Sequence, residues 1–140
     1  MTPKIIKTAV LSKDKAKNYL NKAEQFYYVM QICAVDKEWD AATLNGVHAA
    51  ISITDALLVW RAGIHSISPK HDDAAVLLRQ HFSKEELHNN DSRLTKILTF
   101  KNLISYQPEQ ITEAKGIVFA KDVERYFEWG KGLLKKLGCS

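Results

Sequence analysis

The stretch from Trp39 to Gly63, WDAATLNGVHAAISITDALLVWRAG, decides the fold of this chain. Its apolar residues recur at helical spacing on nearly every side of a helix instead of along one stripe. A helix of this kind belongs in the middle of a bundle, and Gly46, Ala49 and Ala50 would let a neighbouring helix come close. Gly63 is a natural C-terminal stop. We therefore expect a central, buried helix with other helices packed around it.

Two side chains in the middle of this stretch, His48 and Asp55, are ionisable where most neighbours are apolar. They are seven residues apart, so they lie nearly one above the other on a helix. A histidine in such a place is more often a hydrogen-bonded core residue than a functional group. The pattern alone therefore assigns no role to either residue.

Apolar stripes at spacings of three and four residues predict further helices before and after the central one. The first follows Ser12 as N-cap and runs to about Cys33. Another follows Ser68 as N-cap, with Pro69 as its first helical residue. The pair Ser83 and Glu86 then indicates a capping box, which begins a further short turn of helix.

The C-terminal half adds two long helices. One is SRLTKILTFKNLISYQ, which ends near Pro108, and the other runs from about Ile117 towards Leu137. No run alternates apolar and polar residues as a half-buried strand would, and only PKIIKTAVL near the start is a candidate for extended structure. The sequence thus predicts an all-α protein, an up-and-down bundle of four long helices and one shorter helix.

Length and composition favour one domain over residues 1–140, with residues 1–11 as an extended or flexible N-terminal segment. Hydrophobic residues make up 46% and charged residues 26% of the chain, which are ordinary values for a globular protein. The 20 basic residues exceed the 16 acidic ones, and the net charge of +4 is scattered instead of blocked. Such a charge permits nucleic-acid binding without indicating it.

Signatures of metal and cofactor sites are missing from the sequence. The five histidines form neither an HExxH pattern nor a Cys/His pair of zinc spacing, and the two cysteines form no CxxC pair. There is no glycine-rich phosphate loop. We expect no metal and no cofactor. The start MTPKIIKTAVLSKDK lacks the apolar core of a signal peptide, and no stretch reaches the roughly 20 apolar residues of a membrane span, so a cytoplasmic protein is expected.

Five features follow one another along most of the chain. They are a lysine-rich first helix with aromatic residues, the Ala-rich GVHAAISITDALLVWRAG with Val47, His48 and Ala49 at its start, SPKHDDAAVLL, KNLISYQP, and a long amphipathic closing helix. In this order they resemble the HEPN family, small helical domains of defence and toxin–antitoxin systems that often accompany a nucleotidyltransferase. The resemblance implies a HEPN-like helical bundle and, because family members often pair with their motif helices facing one another, a homodimer.

The family's signature is an arginine, four to six intervening residues and a histidine, commonly with a polar residue directly after the arginine. In KNLISYQP, Lys101 stands at the arginine position, Asn102 follows it, and Tyr106 stands where the histidine would be. Some branches of the family carry a tyrosine near the end of the motif. The resemblance therefore makes Lys101, Asn102 and Tyr106 the candidate catalytic residues and the predicted ligand-binding residues.

The lysine in place of the arginine and the tyrosine in place of the histidine affect the catalysis that the motif could support. Active members of the family are metal-independent endoribonucleases, which need a proton acceptor for the ribose 2′-hydroxyl and a cation for the phosphorane-like transition state. A tyrosine hydroxyl stays protonated near neutral pH, where an imidazole titrates, so Tyr106 is a poor general base. Lys101 is a flexible point charge without the bidentate fork of an arginine.

Three functions follow from this comparison. The preferred one is a non-catalytic or weakly active HEPN protein that binds a nucleotide, RNA or a partner nucleotidyltransferase through Lys101, Asn102 and Tyr106. The first alternative is a metal-independent endoribonuclease toxin of a toxin–antitoxin system with the same residues as its catalytic set. The second is a structural interaction module without a ligand, in which Tyr106 only packs its ring and Lys101 only reaches solvent.

Overall fold

The protein is mostly helical, with one small antiparallel sheet. The computed structural model describes residues 5–68, 70 and 72–140. The two strands of the sheet are β1 (Thr8–Val10) and β2 (Ile64–Ser66), with Ala9 opposite His65. The helices are α1 (Ala16–Val35), α2 (Trp39–Ala62), α3 (Asp72–His81), α4 (Lys84–Leu87), α5 (Asn90–Tyr106) and α6 (Glu113–Lys136).

The central helix α2 has the bounds that the sequence predicts. Gly63 follows it with φ 67°, a left-handed conformation in which a residue with a Cβ would be strained, and its N–H bonds to the carbonyl of Val59. Helices α1, α5 and α6 all pack against α2, which contributes more buried residues than any other described helix. Burial on nearly all sides explains why α2 is apolar on nearly all sides.

Glycines let the long helices approach one another. A Cβ on Gly46 of α2 would come within 2.6 Å of the Phe119 ring and 2.9 Å of Met30 Sδ, so α1 and α6 meet α2 at this glycine. A Cβ on Gly130 of α6 would come within 2.8 Å of Ile53 Cγ1. Such distances are shorter than ordinary carbon contacts, so a Cβ at either crossing would force the neighbouring side chains to shift.

α2 is also, within the described part of the chain, the one helix long and apolar enough to cross a membrane by length and composition. However, 72% of its most apolar window is buried inside the fold. The core helix of a soluble protein has this character, because its apolar surface is covered by neighbouring helices.

Several predictions from the sequence are confirmed. The described residues contain four long helices, the predicted shorter one as α3, and the further short turn as α4; α5 ends at Tyr106, ahead of Pro108. Ser83 and Glu86 form the predicted capping box: Ser83 Oγ accepts from the N–H of Glu86, and the Glu86 carboxylate accepts from the N–H of Ser83. Each bond satisfies a backbone donor that a helix start leaves open.

Other details of the prediction were wrong. Extended structure was expected only near the start, yet Ile64–Ser66 pairs with β1, because Gly63 turns the chain back towards residues 8–10. Ser12 precedes a short 3-10 turn, and α1 itself begins at Ala16. α6 begins four residues before Ile117, because Thr112 Oγ1 accepts from the N–H of Lys115. The predicted helix start at Pro69 lies outside the described residues, and α3 begins at Asp72.

Candidate functional site

A pocket of about 190 Å³ opens between α2, α5 and the segment that follows β2. Four aliphatic side chains, contributed by α2, α3 and α5, form its walls: Ile51, Ala74, Leu94 and Leu98. Polar and charged groups complete the lining: Thr54, Asp55, Ser66, Ser68, Lys70 and Lys101. Ligand sites of proteins commonly combine apolar walls with a few convergent polar groups in this way.

Two lysines line this pocket. Lys101 lies on α5, one turn beyond Leu98, and is half-buried, whereas Lys70 is exposed on the segment after β2. Neither ammonium group forms an ion pair with an acidic side chain of the described residues. Both positive charges are therefore available to a ligand.

Asp55 of α2 is the acidic group of the pocket, and it is partly buried. Burial raises the pKa of its carboxyl group to about 7, and the positive charge of Lys22 on α1 only partly opposes this shift. No hydrogen bond or ion pair within the described residues holds the carboxyl group. Asp55 therefore exchanges its proton in the range where acid–base groups of proteins operate.

His48 lies two turns before Asp55 along the same face of α2, and it is exposed. Its ring packs on Phe26 of α1, with centroids 5.3 Å apart. Although the residue is exposed, this packing partly desolvates the imidazole, and desolvation and the positive charge of Lys101 both lower its pKa, so it is predominantly neutral near pH 7. The positive charge of Lys101 on α5 thus acts on a histidine of α2 that is not among the lining residues of the pocket.

The segment after β2 is ordered by side-chain hydrogen bonds. Ser66 Oγ accepts from the N–H of Ser68, and Ser68 Oγ accepts from the N–H of Lys70, both at 3.2 Å. The Ser68 hydroxyl also donates to the carboxylate of Asp73, a buried residue at the start of α3. These bonds hold the backbone that carries Lys70 against the first turn of α3.

The three residues predicted from the sequence do not share one environment. Lys101 lines the pocket, but Asn102 and Tyr106 are exposed and are not among its lining residues. Tyr106 has 79% of its surface accessible at the last residue of α5. Positions five apart on a helix point about 140° away from one another, which explains why Lys101 and Tyr106 diverge. A joint binding role for all three residues stays a prediction.

Sequence reasoning missed Asp55 as a pocket residue. The signal for it was present, since His48 and Asp55 are stacked ionisable groups on an otherwise apolar helix. What the sequence could not show is that α1 and α5 leave this strip of α2 uncovered.

Within the described residues, no group of three or more His, Cys, Asp or Glu side chains is arranged to hold a metal ion. No protein-family model matches the chain, and no curated protein matches it either. The chemistry of the pocket therefore has to be argued from its own residues.

Proposed function

We propose that the protein is a non-catalytic or weakly active, HEPN-like binding protein that holds a phosphate-bearing ligand, a nucleotide or RNA, in the pocket between α2 and α5. The observation that carries this proposal is the pair of lysines, Lys70 and Lys101, which line one concave site without an acidic partner among the described residues. The resemblance of KNLISYQP to the family motif supports the same site.

Electrostatics favour an anionic ligand here. A lysine held against aliphatic walls loses part of its hydration, and an anion that enters the pocket restores favourable interactions for the charge. A concave site with low-dielectric walls also strengthens attraction between charges compared with open solvent. Lys101 lies beside Leu98 on α5 and so meets these conditions more fully than the exposed Lys70.

A second candidate function, metal-independent endoribonuclease activity, is favoured by one observation. His48 is a predominantly neutral imidazole whose pKa the positive charge of Lys101 lowers, so a proton acceptor lies within the electrostatic influence of the phosphate-binding cation. In this proposal His48 is the proton acceptor, the role for which the family resemblance made Tyr106 the candidate. RNA incubated with the protein in EDTA tests it: cleavage that is lost in His48→Ala and Lys101→Ala would make the protein an enzyme.

Partner binding is proposed for a different surface. The last turn of α5 exposes Leu103 and Tyr106, two side chains that can pack against a protein. We assign the homodimer contact to this end of α5, so that the α5 helices of the two subunits face each other. A nucleotidyltransferase is the alternative partner for the same surface. The family resemblance supports both associations.

Ligand binding is tested by comparing Lys101→Ala with Lys121→Ala, a change of an exposed lysine on α6 that is not among the pocket-lining residues. Fluorescence anisotropy with a short labelled RNA, repeated at increasing salt, gives affinity and its salt dependence. We expect weaker binding for Lys101→Ala and a salt slope reduced by about 0.7, the value for one lost contact to a single-stranded phosphate. Equal binding by the two variants and the parent would contradict the proposal.

A further inference from the structure

The carboxyl group of Asp55 has a position that phosphate binding alone does not explain. It lines the pocket with Lys70 and Lys101, yet it would repel a phosphate when ionised. Among the described residues it has neither a hydrogen-bond donor nor an ion-pair partner, so a ligand that covers it removes its contact with water, and buried polar groups usually have a hydrogen-bond partner. A ligand that binds here therefore has to supply hydrogen-bond donors to this carboxyl group.

The pocket also combines its polar groups with aliphatic side chains. Lys101 acts on the pKa of His48, two turns from Asp55 towards the start of α2, whereas the charge that acts most on Asp55 is that of Lys22. Asp55 on α2 and Lys101 on α5 line the same pocket from different helices. Ile51 of α2 and Leu98 of α5 line this pocket too, and apolar side chains suit the face of a planar ring.

We propose that Asp55 recognises the ligand by accepting hydrogen bonds from two adjacent N–H groups on the edge of a planar base, while the lysines hold its phosphate. Guanine presents such an edge, with its ring N–H beside its exocyclic amino group. A carboxylate has two acceptor oxygens and matches two donors side by side. This inference rests on the proposed function and specifies the ligand class, a guanine nucleotide or a guanine in RNA.

The pH dependence follows from the groups that face Asp55. Lys22 and Tyr19 on α1 and Tyr126 on α6 interact electrostatically with Asp55. Lys70 and Lys101 line the same pocket, His65 packs on Tyr19, and Asp73 accepts a hydrogen bond from the lining residue Ser68. Two N–H donors stabilise the ionised carboxyl group, so binding below the pKa of about 7 releases a proton. Recognition of the base should therefore strengthen as the pH rises through 7.

Calorimetric titration with guanosine monophosphate and inosine monophosphate tests the proposal, because the two nucleotides differ only in the exocyclic amino group. The phosphate titrates equally in both, so their affinity ratio isolates the contact to the base. We expect the guanine nucleotide to bind about tenfold more tightly at about pH 8, within the range for a good bidentate pair, and the preference to shrink at about pH 6. Asp55→Asn should abolish the preference, and Asp36→Asn, an exposed control, should keep it.

The outcomes separate this inference from the proposed function. Equal affinities for the two nucleotides, or a preference for the guanine nucleotide that survives in Asp55→Asn, would overturn the role of Asp55. If Lys101→Ala nevertheless weakens the binding of both nucleotides, the phosphate site is upheld. Absence of binding for both nucleotides and for RNA would overturn both. Helical circular dichroism of Asp55→Asn shows whether the variant is folded, and Lys101→Ala should weaken both nucleotides without changing their ratio.

Discussion

The hydroxyl oxygens of Thr54 and Tyr126 lie 2.5 Å apart in the core between α2 and α6. Thr54 Oγ1 also lies 2.7 Å from the carbonyl oxygen of Ala50, so its proton goes to that carbonyl, and Tyr126 donates to Thr54. Burial raises the pKa of Tyr126 above its usual range, which keeps the phenol protonated for this bond. The pair thus fixes α2 against α6 directly beside Asp55.

This geometry predicts unequal effects for the two partners. Tyr126→Phe removes one hydrogen bond but leaves the Thr54 proton on its carbonyl, so we expect a loss of about 1 kcal/mol in the free energy of unfolding. Thr54→Val leaves the Tyr126 hydroxyl buried without an acceptor, and the loss should reach about 1–3 kcal/mol. Urea denaturation measures both. A larger loss for Tyr126→Phe would show that the hydrogen-bond direction is reversed.

Two glycines on α6 predict opposite signs for the same substitution. A Cβ at Gly130 would come within 2.8 Å of Ile53 Cγ1, so Gly130→Ala should destabilise the fold by about 1–3 kcal/mol through overpacking. Gly132 has no described neighbour within 4 Å of such a Cβ, so Gly132→Ala should stabilise α6 by up to about 1 kcal/mol. Thermal unfolding measures the change in stability for each variant. A change of the same sign in both variants would contradict the packing described here.

Asp55 makes stability depend on pH. In the unfolded chain the carboxyl group of Asp55 has its ordinary pKa of 3.8, whereas in the folded protein its pKa is about 7. The folded state therefore binds more protons between these values, and its stability falls as the pH rises through this range, by up to about 4 kcal/mol. Asp55→Asn should remove this loss and be more stable than the parent at about pH 8 but not at about pH 4. Urea denaturation at the two pH values measures the difference.

The end of α5 predicts how the protein associates. If Leu103 and Tyr106 lie in a homodimer contact, a carboxylate at position 106 should separate the subunits, because an unpaired buried carboxylate is strongly unfavourable. Light scattering should then show a dimer for the parent and a monomer for Tyr106→Glu. Tyr28→Glu, a change of an exposed tyrosine on α1, serves as the control and should stay dimeric. A parent that is monomeric at tens of micromolar would remove the proposed dimer.

Local signals in the sequence predicted most of the fold and part of the site. The bounds of α2 could be predicted because its apolar residues and Gly63 act locally, and the Ser83 and Glu86 capping box is likewise a short-range pattern. Strand β2 could not be predicted, since a strand of three residues depends on its partner β1 more than on its own composition. Lys101 was placed at the site from its motif, but Asp55 was not, because its accessibility depends on how α1 and α5 flank α2.

The central claim, that the pocket between α2 and α5 binds a nucleotide through its lysines, is tested most directly by two-dimensional ¹H–¹⁵N spectroscopy during titration with guanosine monophosphate. The account predicts that the largest shifts belong to the amides of Asp55, Ser68 and Lys101, and that Lys101→Ala needs a higher nucleotide concentration to produce the shifts at Asp55 and Ser68. Spectra that do not change, or changes concentrated around Tyr28 and Lys135 on surfaces outside the pocket, would contradict it.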